Sequence, residues 1–66
     1  MNTRYIEVEQ LYKQAIRRYD TARQHDDEDS QHTAMVRMSA YGQALKALGY
    51  LERDLTTLTS AALLGI

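Results

Sequence analysis

Tyr5, Tyr12 and Tyr19 stand seven residues apart, and Val8, Ala15 and Ala22 fall between them, so apolar positions recur at alternating intervals of three and four. That spacing is the a/d seam of a helix that packs against another helix. Leu11 and Ile16 flank the seam and widen it to the breadth a globular core needs, while Ile6 falls outside it. The spacing predicts a first helix over about 3–24, opened by Asn2 or Thr3 as a cap, with no glycine or proline to interrupt it. Glu7 and Glu9 near its start and Lys13, Arg17, Arg18 and Arg23 toward its end suit the helix dipole. Glu9 and Lys13 are placed as an i,i+4 ion pair.

The apolar rhythm breaks only at His25-Asp26-Asp27-Glu28-Asp29-Ser30, read as an acidic interhelical loop over 25–30, with Asp29 and Ser30 as caps for a second helix. That helix, over about 31–63, carries Ala34, Tyr41, Leu48, Leu55 and Ala62 at one heptad position and Ala44, Leu51 and Leu58 at the other. Met38 and Leu45 thicken this seam, and Arg37 takes a core-type position where its stem can pack. The tyrosines of the first helix are expected to face small residues, Ala40, Ala44 and Ala47, in the second. Gly42 and Gly49 each cost roughly 1 kcal/mol against alanine inside a helix and so ask for a close approach or a bend.

The fold class is therefore all-α: one domain over 1–66, an antiparallel helical hairpin. The lengths do not match, since a first helix of about 22 residues spans roughly 33 Å and an unbroken second one about 51 Å. Leu51, Leu55, Leu58, Ala62, Leu63, Leu64 and Ile66 then extend beyond the partner helix and need a cover. Either two copies pair into a four-helix bundle through these residues, or the chain breaks near 49 or 56 and a short third helix folds back. A chain of 66 residues has a marginal core, and without cysteine it has no disulfide to reinforce it, so the homodimer is the expected arrangement. Tyr50, off the second seam, is expected to be exposed and available to a partner.

Eight Lys and Arg against nine Asp and Glu leave a net charge of −1, far from the basic balance of chains that coat nucleic acid or anionic membranes. The charged start, Met1 to Glu7, lacks the apolar run of a signal peptide, and the longest apolar stretch, Ala61 to Leu64, is far short of the roughly 20 residues that span a bilayer. The expected location is the cytoplasm. His25, Asp26, Asp27, Glu28, Asp29 and His32 supply oxygen and imidazole groups, but their spacing fits no known metal loop and reads as a solvated acidic turn. Neither a metal nor a cofactor is expected. No nucleophile–base pair or phosphate-cradling glycine loop is present, and Ser39 and Ser60 have no histidine in a plausible relation, so catalysis is not expected. The basic residues of the first helix read as a solvated face.

Two functions fit. The first is a non-enzymatic interaction protein, an adaptor, inhibitor or chaperone-like regulator that works through an apolar helix face. The second is a small DNA-binding regulator with a helix-turn-helix over 44–58, built on Leu45, Leu48, Gly49, Tyr50, Leu55 and Leu58. A sharp turn at Gly49 with Arg53, Thr56 and Thr57 exposed favours the second, and Glu52 and Asp54 in the would-be reading helix count against it.

Overall fold

The computed structural model describes residues 4–66, which form three helices and no strand: α1 (Ile6–Gln24), α2 (Glu28–Ala47) and α3 (Glu52–Leu63). The expected second helix is thus two. Of the two candidate breaks the chain uses the one at Gly49, while Thr56 and Thr57 lie inside α3 with their hydroxyls donating to the carbonyls of Glu52 and Arg53. Asn2 and Thr3 lie outside the described residues. Tyr5 occupies the position before α1 without a side-chain cap, and its carbonyl accepts the first intrahelical bond from Glu9 at 3.0 Å.

All three helices end on one device. After α2, the Gly49 N–H donates to Lys46 and the Tyr50 N–H reaches back to Leu45, each at 3.0 Å. This pair of bonds is a Schellman motif, which needs a left-handed residue at its centre, and Gly49 supplies φ +104°. Gly65 does the same after α3 at φ +77°, with Ile66 bonded to Ala61. After α1 the left-handed residue is Asp26 at φ 54°, with Asp27 bonded to Ala22. The expected acidic loop is correspondingly shorter: only residues 25–27 separate the helices. Asp27, rather than Asp29 or Ser30, caps α2, accepting from the Ser30 N–H at 3.2 Å and the Ser30 hydroxyl at 2.7 Å. Glu28 and Asp29 fall in the first turn, where their charge favours the helix N-terminus.

Helix α2 returns along α1, so that Leu11 and Tyr41 line one crevice while Ala22 and Ser30 line another nearer the turn. Helix α3 then runs beside α1 in the same direction. Tyr5 bonds Tyr50 at one end and Arg17 bonds Ala62 at the other, and both pairs are 45 residues apart in sequence. Both α2 and α3 pack chiefly on α1 rather than on each other.

The seam of α1 is largely as expected: Ala15 and Ala22 are buried, Val8, Tyr12 and Tyr19 are half-buried, and Ile16 joins them while Leu11 and Tyr5 remain exposed. The core centres on Leu45, which has no exposed surface, packed with Tyr50, Leu55 and Leu58 and backed by Val8 and Tyr12. The second heptad seam holds at Ala34, Leu55, Leu58 and Ala62, which are buried, and fails at Ala44, Leu48 and Leu51, which are exposed; the turn over 48–51 carries Leu48 and Leu51 off the core, and Ala40, Ala47 and Arg37 also face outward. Large meets small where Tyr12 lies over Gly42, while the expected small partners Ala40, Ala44 and Ala47 are exposed.

Candidate interaction surface

The residues expected to need a cover divide into two groups. Leu55, Leu58 and Ala62 are buried against the rest of the chain, because α3 folds back on α1 instead of extending past it. Leu51, Leu63, Leu64 and Ile66 remain exposed, the last two by 74% and 73%. Tyr50, expected to be exposed, is 5% exposed: as the residue after the left-handed Gly49 it is turned back onto Leu45 by the Schellman bond.

Tyr50 belongs to a polar cluster that the sequence did not announce. Its hydroxyl donates to the carboxylate of Glu9 and accepts from the backbone N–H of Tyr5 at 2.9 Å. Glu9 is 3% exposed, so its expected surface pair with Lys13 is replaced by burial beneath Arg4, whose guanidinium donates to both carboxylate oxygens at 3.1 and 2.5 Å. A carboxylate taken out of water is stabilised only if its lone pairs are filled, and here three donor bonds fill them. The Arg4 bond holds the Glu9 carboxyl below its ordinary pKa and outweighs the opposing effect of burial. Burial, and then the bond to Glu9, push the Tyr50 phenol up. The cluster ties the start of α1 to the α2–α3 turn. At the far end Arg17 donates to the oxygens of Ala62 and Ile66 at 3.1 and 3.2 Å, satisfying carbonyls at the end of α3.

Fastened to α1 at both ends, α3 diverges from α2. Near Gly49 the two meet through Leu45, Leu55 and Leu58. Farther along they leave a groove of about 470 Å³, with Met38, Ser39, Gly42 and Gln43 on one wall, Leu55, Thr56, Thr59 and Ser60 on the other, and Tyr12 beneath. A Lys46–Glu52 ion pair stands at the Gly49 end. Helical spacing carries the walls on to Met35 on α2 and Leu63 on α3, both more than half exposed. The distance from Lys46 back to Met35 is three helical turns, about 16 Å at 1.5 Å per residue.

Helix α2 also lacks the contrast between faces that a surface helix normally shows. From Met38 to Leu45 it has no charged residue, and on its outward side the apolar Val36, Ala40, Ala44 and Ala47 are mixed with the polar Arg37, Ser39, Gln43 and Lys46.

Among the described residues no three His, Asp or Glu side chains converge on a point that could hold a metal ion. No helix among them is long and apolar enough to cross a membrane. Compared with protein-family models, with curated proteins and with solved structures, the chain matches none of them.

Proposed function

We propose that this chain is a non-enzymatic interaction protein that accepts a helix of another protein molecule in the groove between α2 and α3, its first partner being a second copy of itself. The observation that carries this reading is the groove itself: α2 and α3 are each held on α1 and meet near Gly49, leaving beyond it a gap in which Tyr12, Met38 and Leu55 lie among serine, threonine and glutamine side chains. An incoming helix would cover Met35, Met38 and Leu63 together with the outward side of α2, adding burial that a 66-residue core needs. Leu51, Leu63, Leu64 and Ile66 are the part of the expected interface still available for such a contact.

The test is solution mass by light scattering across a dilution series, for wild type and for a Ser39→Lys/Ser60→Lys variant. Both serines are exposed and line the groove, so the substitutions fill and charge it without entering the core. A wild-type dimer that becomes a folded monomer in the variant supports the proposal. A wild type that is monomeric at every concentration, or a variant that dimerises equally well, overturns it.

The DNA-binding alternative keeps one favourable observation, since the chain turns at Gly49 and leaves Arg53, Thr56 and Thr57 exposed. Against it, α3 runs along α1, begins with Glu52 and Asp54, and has no basic residue in its last turn, so it offers little to phosphates. Salt-dependent binding to duplex DNA that is lost in Arg53→Gln would restore it.

A further inference from the structure

A second crevice lies between α1 and α2, away from the groove, and three arginines line it. Near the α1–α2 turn it holds about 590 Å³ between Arg17, Arg18 and Thr21 on α1, His25 in the turn, and Thr33 and Arg37 on α2. A small adjoining cleft continues it toward Leu11, Gln14 and Tyr41. Arg18 and Arg37 line both, so the two residues stand on facing helices along one continuous crevice.

Arg17 is committed to the end of α3 and Arg23 to Asp20, whereas Arg18 and Arg37 have no carboxylate within ion-pair distance among the described residues. Two acidic groups do line the crevice, Asp27 and Asp29, beside the α1–α2 turn. Asp27 is occupied in capping α2, with both oxygens accepting from Ser30. An anion that reaches both side chains would offer acceptors to two planar forks and offset their charge.

We propose that this crevice binds a phosphate group through Arg18 and Arg37. A tetrahedral dianion presents enough oxygens to engage both guanidinium groups, and the crevice volume is that of a small-molecule site. The Thr21 hydroxyl is a further donor at the rim. Asp27 and Asp29 confine the anion to the Arg18–Arg37 end.

The experiment is an amide chemical-shift titration of the full chain with inorganic phosphate and with pyrophosphate, each against sodium chloride at the same ionic strength. Saturable shifts confined to the Arg18–Thr21 and Thr33–Arg37 segments are expected. Arg18→Gln and Arg37→Gln should each weaken binding about tenfold or more, and Arg53→Gln, on the exposed side of α3, should leave it unchanged. Arg18 and Arg37 are both exposed, so the variants retain the fold, which their amide dispersion checks directly. Tighter binding of pyrophosphate would identify a diphosphate-bearing ligand, and tighter binding of phosphate a single phosphate group. Shifts that chloride reproduces, or equal affinity in the Arg18 and Arg37 variants, would overturn the proposal.

Discussion

The hydroxyl of Tyr50 donates to the carboxylate of Glu9, 41 residues earlier in the chain, and the two side chains are among the least exposed in the protein. The bond joins the first turns of α1 to the turn that separates α2 from α3. Tyr50→Phe keeps the ring in the Leu45 cluster but leaves the Tyr5 N–H without its acceptor and Glu9 short of a donor. The expected loss is about 1–3 kcal/mol of unfolding free energy by urea denaturation, the usual consequence of leaving a buried polar group unsatisfied.

Acid should weaken the same cluster. The folded-state pKa of Glu9 is depressed, chiefly by Arg4, so its contribution is complete above the ordinary carboxylate pKa near 4.5 and is lost as pH falls through the lower folded value. Thermal midpoints between pH 7 and pH 2 should drop on the acid side for wild type. In Glu9→Gln, which cannot titrate, that part of the drop should be absent from a lower starting stability.

Two glycines seven residues apart should respond in opposite ways. At Gly49, φ +104° forces any side chain into strained backbone, so Gly49→Ala should destabilise by about 1–2 kcal/mol. At Gly42 the backbone is helical, and an added Cβ would meet Tyr12 Cε1 at 3.5 Å, an ordinary contact. Gly42→Ala should therefore gain up to about 1 kcal/mol from helix propensity. Equal effects of the two substitutions would contradict the turn at Gly49.

Removing the Arg17 fork should free the end of α3 without unfolding the molecule. In Arg17→Met the stem remains while the bonds to Ala62 and Ile66 are lost. Hydrogen exchange is expected to accelerate several-fold in the last turn of α3 and to stay unchanged in α2. Uniform acceleration across all three helices would show that Arg17 supports the whole fold.

The core centre is the most sensitive position. Leu45→Ala opens a cavity at a side chain with no exposed surface, for an expected loss of about 2–5 kcal/mol. In a chain this small that suffices to leave the far-ultraviolet helical signal largely abolished at room temperature.

Sequence alone determined the helical class and most of the inward face of α1, because Val8, Tyr12, Ala15, Tyr19 and Ala22 repeat with the helical period over an uninterrupted segment. It could not choose between one helix and two beyond Ser30. The turn over 48–51 advances the chain by four residues, close to the 3.6 of a helical turn, so the apolar phase of α3 continues that of α2 as if no break existed. The Leu-Gly pairs at 48–49 and 64–65 carried the termination signal, which depends on backbone conformation rather than apolar spacing. Only the tertiary structure decided that Leu55, Leu58 and Ala62 pack inside the chain, and that Tyr50 and Glu9 are buried together. Those positions are set by where α3 lands on α1, and a carboxylate in the first turn of a helix looks the same in sequence whether it faces water or Arg4 and Tyr50.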